Sequence, residues 1–177
     1  PRNLTKIESF KVHFHGFSTF KNKWDKNLSS MVNSFKFGTS TCQNPNEVLI
    51  IPFSENNKDS HFHTYLPSSS KFNNFINEVQ KAVQYEGSAP IELSGHSGGG
   101  KVVANILKSS KFMAESQKPN ERIQKVKIYD GLYSNSWADN ISKWFKGSEN
   151  VELNLYSIKN STTSKWSNYL YHQFKRN

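Results

Sequence analysis

Apolar and polar residues alternate over positions 10–15, Phe-Lys-Val-His-Phe-His, with the period of a half-buried strand, and the pattern stops at Gly16. A second segment, 48–53, is an unbroken apolar run of the kind shown by a strand buried on both faces. Short strands are also predicted over 90–94, stopped by Gly95, over 126–129, ended by Asp130-Gly131, and over 151–158, where the alternation is cleanest. Between them the spacing changes from two to between three and four. Leu28, Met31, Val32 and Phe35 predict a helix over 25–35. Phe72, Phe75, Ile76, Val79 and Val83 predict a second, with Ser69 or Ser70 as cap and Gly87 beyond its end. Val102, Val103, Ile106 and Leu107 form a third stripe, and Trp137, Ile141, Trp144 and Phe145 a fourth. The segment 162–174 reads as a closing helix with Trp166, Tyr169, Leu170 and Phe174 inward. Strands alternating with helices predict an α/β fold, a mostly parallel sheet flanked by helices.

The length of 177 residues suits one domain spanning 1–177. A hydrophobic fraction of 34% is low, but aromatics at 14% and well-formed apolar runs separate the chain from disordered sequences. The longest apolar run falls far short of the roughly 20 residues needed to span a bilayer. A single cysteine, Cys42, excludes an internal disulfide framework and any multi-cysteine zinc site. Twenty-three basic residues against 14 acidic ones leave a charge of +9. No run of five or more basic residues occurs, so this reads as a solvated basic surface that favours anionic substrates, not as a specific nucleic-acid site. The chain starts Pro-Arg-Asn, without Met or an apolar leader, as expected of a processed product with its signal peptide removed, or of a trimmed piece. A soluble, secreted or periplasmic protein would fit the first case.

The chemistry concentrates at Gly95-His96-Ser97-Gly98-Gly99, set between a predicted strand and a predicted helix. G-x-S-x-G in that setting is a nucleophile elbow: the serine is raised on a tight turn, and small neighbours let strand and helix pack closely. Backbone amides at the helix start can then stabilise a developing oxyanion.

On this motif, and on the order of strands and helices around it, the chain resembles the α/β-hydrolase superfamily of serine hydrolases. The resemblance implies a three-layer α/β sandwich, either trimmed at both ends or in a minimal natural version, and an acyl-enzyme formed on Ser97. It also implies oxyanion donors from the amides of Gly98 and of Gly16 or Phe17, since His15-Gly16-Phe17 follows the first strand. The superfamily order is serine, acid, histidine. Asp130 is the acid candidate, with Asp139 as runner-up, and His172 is the only histidine downstream of Asp130. An alternative is that the base lies beyond Asn177. No cofactor and no metal is required, and the substrate is a small-molecule or peptide acyl compound. His61 and His63 form an H-x-H, but no carboxylate or cysteine at matching spacing completes a metal site.

A rival reading takes Gly95 to Lys101 as a nucleotide-binding G-x-x-x-x-G-K loop. Such a loop needs Ser or Thr for magnesium where Val102 stands. A third reading keeps the elbow as architecture in a binding scaffold without catalysis.

Overall fold

The computed structural model describes residues 6–16, 44, 46–52, 66, 68–108, 118 and 120–175. Strands β1 (Ser9–Phe14), β2 (Glu47–Ile50), β3 (Ile91–His96), β4 (Ile123–Tyr129) and β5 (Glu152–Tyr156) form one sheet in the order β2-β1-β3-β4-β5. Every neighbouring pair is parallel. Parallel neighbours need long crossovers, and α1 (Ser69–Ala82), α2 (Gly99–Ile106) and α3 (Asn135–Lys146) lie in the connections from β2 to β3, β3 to β4 and β4 to β5. The helix α4 (Thr162–Lys175) follows β5. The expected α/β architecture, a parallel sheet flanked by helices and consistent with a three-layer fold, is therefore what the chain forms.

The period of two in the strands sorts the sheet into two faces. Phe10, Val12 and Phe14 pair in register with Ile91, Leu93 and Gly95, and Leu93 and Gly95 with Val126 and Ile128. The apolar members of this set are at most 1% exposed, and α1 to α4 pack side by side, α2 directly on this face. The opposite face carries Lys11, Glu92, Lys125 and Lys127, joined with the strand ends Glu47 and Glu152 by ion pairs: Lys11–Glu47 at 2.6 Å, Lys127–Glu92 at 2.7 Å and Lys125–Glu152 at 2.7 Å. A bulge in β4 makes this sorting possible. Ile123 pairs with Ile91, yet the next residue of β3, Glu92, meets Lys125, so one extra residue turns the β4 lysines to the polar face while Ile123 stays buried.

Two details differ from the expectations. The 48–53 run was expected to be buried on both faces, but among the described residues β2 is an edge strand pairing only with β1, and its residues are half-buried. Helix α1 is capped by Ser68, whose Oγ accepts from the Lys71 N–H at 3.4 Å, one residue before the expected caps. Ser69 is instead buried and donates to the Ile106 carbonyl at 2.5 Å, closing the end of α2. The expected helix over 25–35, and residue 53 of the second strand, lie outside the described residues. Among the described residues, no helix is long and apolar enough to cross a membrane.

Candidate active site

In a doubly wound sheet of order 2-1-3-4-5, the crevice outside the carboxyl ends of the strands where the winding reverses is where ligands bind. Here that point lies between β1 and β3. Gly16 stands just past the end of β1, and Ser97 directly follows β3. The two are in close contact: a Cβ added to Gly16 would sit 2.5 Å from Ser97 Cβ, 2.9 Å from the His96 carbonyl oxygen and 3.1 Å from Ser97 Oγ. Only a glycine lets the exit of β1 pass so near the serine.

Two residues, Ser97 and Gly98, make the whole turn from β3 to α2. Ser97 has φ +51°, in the left-handed region that non-glycine residues rarely occupy. Its N–H donates to the Tyr129 carbonyl at 2.9 Å, continuing the ladder to β4, and its carbonyl accepts from Gly100 N–H at 2.9 Å. The packing beneath is tight enough that a Cβ on Gly95 would meet the Gly99 carbonyl oxygen at 2.6 Å. A Cβ on Gly99 would meet that of Phe14 at 2.1 Å. Gly98 is the N-cap of α2, so its amide lies at the positive end of the helix. Among the described residues, neither the Gly98 nor the Gly16 N–H donates to a carbonyl.

Among the described residues, the group that meets Ser97 Oγ is the Tyr133 hydroxyl, at 3.3 Å. Tyr133 is 44% exposed, and its ring stands edge-on to Trp137 with centroids 6.1 Å apart. The sequence reading assigns it no role. The available signal was its place three residues past Asp130, in the loop that must leave the same edge of the sheet as Ser97.

Asp130 closes β4 with φ +46°. Its N–H donates to the Tyr156 carbonyl at 2.7 Å, and its Oδ1 accepts from the Ile158 N–H at 3.2 Å and from the Thr163 hydroxyl. The carboxylate thus clips the exit of β5 and the first turn of α4. The runner-up acid, Asp139, accepts from Tyr169 OH and Asn135 Nδ2, both at 3.0 Å, and so joins α3 to α4.

His172 is exposed on α4, its ring edge-on to Tyr171 at 5.7 Å. Nine residues of helix, roughly 13 Å of rise, separate it from Thr163, the residue that holds Asp130. The structure does not bring His172 together with Asp130 and Ser97. Sequence order supplies the right succession of residue types, but α4 runs away from the sheet's carboxyl edge. Phe17 and the pair His61 and His63 lie outside the described residues.

Three other histidines gather beneath the site. His13 and His15 are buried at the end of β1, and His96, half-buried, ends β3. Ser94 Oγ donates to the Val12 carbonyl at 3.3 Å, so at 2.9 Å it accepts from the N–H at Nδ1 of His13. His15 Nδ1 donates to the Gly16 carbonyl at 2.7 Å, anchoring the glycine that abuts Ser97. Burial, and then the charges of His96 and His15, push the His13 pKa down to about 3. Burial also lowers those of His15 and His96, opposed at His15 by the bond to Gly16 and at His96 by the Asp130 charge. Among the described residues, no cluster of three or more His, Cys, Asp or Glu side chains could hold a metal ion. What the arrangement can do chemically is present a hydroxyl, raised on a strained turn, beside the backbone amides of Gly98, at a helix start, and of Gly16, just past the end of β1. A scan against models of known protein families and a search of curated proteins find no match for this chain.

Proposed function

We propose that this protein is a serine hydrolase that cleaves an ester or amide bond through an acyl-enzyme on Ser97. The observation that carries this reading is the φ of +51° at Ser97, in a two-residue turn at the reversal point of the sheet. Backbone strain of this kind costs about 1–3 kcal/mol and is concentrated at functional sites. Ser97 Oγ attacks the acyl carbonyl carbon, and the displaced π pair settles on oxygen, facing the Gly98 and Gly16 amides. The tetrahedral adduct collapses to the acyl-enzyme as the leaving group departs with the proton given up by the Ser97 hydroxyl. Water then releases the acid by the reverse steps. Asp130 serves as the clip that holds the β5–α4 exit beside the site. The substrate is a small-molecule or peptide acyl compound, and the charge of +9 favours an anionic one.

The nucleotide-loop reading is weaker on two counts. Gly95 and His96 belong to β3 and Gly99 to Lys101 belong to α2, which leaves no loop long enough to wrap phosphates. Val102, where a magnesium-binding hydroxyl would be needed, is 0% exposed and faces the core. The test is covalent labelling with a fluorophosphonate. A hydrolase takes one label per chain and loses it in Ser97→Ala, whereas a nucleotide-binding protein or a silent scaffold takes none.

A further inference from the structure

We infer that Tyr133 is a catalytic residue, a proton relay between Ser97 and the leaving group; this rests on the hydrolase reading of Ser97. The sheet order places β3 between β1 and β4, so Gly16 and Tyr133, which follow β1 and β4, flank Ser97 from opposite sides. The Gly16 amide therefore stands on one side of the nucleophile and a phenol on the other. When Oγ attacks with the carbonyl oxygen toward that amide, the leaving group of the tetrahedral carbon is directed to the phenol side.

The hydroxyl is held in place from below and beside. Leu132, its neighbour in the chain, is 0% exposed, and the Trp137 ring in the first turn of α3 braces the Tyr133 ring edge-on. The 3.3 Å between the two oxygens is long for a hydroxyl pair, but within the looser range between nucleophiles and their partners before substrate binds.

A phenol both donates and accepts, so the relay conserves charge on the tyrosine. As the bond from Oγ to the carbonyl carbon forms, the Ser97 proton passes to the Tyr133 oxygen, and the Tyr133 proton passes to the leaving oxygen or nitrogen. The bond from carbon to the leaving group then breaks, with its electron pair staying on the protonated leaving group. The products are acyl-Ser97, the free alcohol or amine, and Tyr133 with its hydroxyl restored. Water replaces the alcohol or amine in deacylation, and the protons run the opposite way.

The experiment compares the wild type with Tyr133→Phe, which keeps the ring and removes only the oxygen, on the ethyl and p-nitrophenyl esters of one acid. Nitrophenolate leaves without needing a proton and ethoxide does not. General acid–base catalysis is worth about 10²–10⁴-fold, so kcat/KM, which reports acylation and not the deacylation common to both esters, is expected to fall at least about 100-fold on the ethyl ester. On the p-nitrophenyl ester the expected fall in kcat/KM is at least ten times smaller. An equal loss on both esters would mark Tyr133 as packing only, and no loss on either would overturn the relay outright. Fluorophosphonate labelling of both proteins separates the two levels. Absence of label in the wild type removes the hydrolase reading and the relay with it. Label on Ser97 in both, with unchanged ethyl-ester turnover in Tyr133→Phe, removes the relay alone.

Discussion

Ser97 pays for its position in backbone geometry. A serine side chain at φ +51° is strained, while glycine adopts that conformation freely. Two hydrogen bonds on either side of the peptide hold it there, from its N–H to Tyr129 and to its carbonyl from Gly100. Ser97→Gly is therefore expected to be more stable than the wild type by about 1 kcal/mol, read as a shift of the urea midpoint to higher concentration, and to have no hydrolytic activity. A fall in stability would mean that the serine is at ease in its turn and would remove the physical basis for a strained nucleophile. The motif made Ser97 legible from sequence because glycines at fixed offsets are a local requirement of the turn. Tyr133 was not legible in the same way: nothing in its own neighbourhood of sequence records that the end of β4 lies beside the end of β3.

Strands and helices were read well where periodicity is a local property. The alternations at 10–15 and 151–158 correspond to β1 and β5, and the 162–174 stripe to α4. The bulge in β4 and the edge position of β2 could not be read, because each is decided by the neighbouring strand. Asp130 shows the same limit. Its place at the end of β4 was legible, but its partners on the β5–α4 connection were not, because they depend on how the next element returns. The clip formed with Thr163 and Ile158 ties β4, β5 and α4 at one point. A charge-assisted bond of this kind is worth about 1.5–3 kcal/mol. Asp130→Ala is expected to lower stability by about 2 kcal/mol, and a double-mutant cycle with Thr163→Val to give a coupling of at least about 1 kcal/mol. Additive effects would show that the two side chains do not act together.

The histidines under the site link the folded state to pH. The folded pKa of His13, about 3, lies below the ordinary histidine value of 6.5, so the unfolded chain binds a proton in a range where the folded chain does not. Stability is full above about 6.5 and falls as pH drops toward 3, by up to about 1.4 kcal/mol per pH unit from this one group. His15 and His96, also shifted down, add in the same direction. Urea midpoints measured between pH 7.5 and 5 are expected to decline for the wild type and more gently for His13→Asn. Parallel slopes would show that His13 is not the group responsible. The same burial at the β1 and β3 ends keeps the floor of the site uncharged at neutral pH, while the surface as a whole carries +9. An anionic substrate would thus be drawn by the surface and not by an imidazolium beneath Ser97.

The central claim is that Ser97 Oγ is a nucleophile. Intact-mass measurement after fluorophosphonate treatment, followed by peptide mapping, tests it most directly. The expected result is one adduct per chain, on the peptide containing Gly95-His96-Ser97-Gly98, and none in Ser97→Ala. No adduct at saturating reagent, or an adduct that persists in Ser97→Ala, would contradict it.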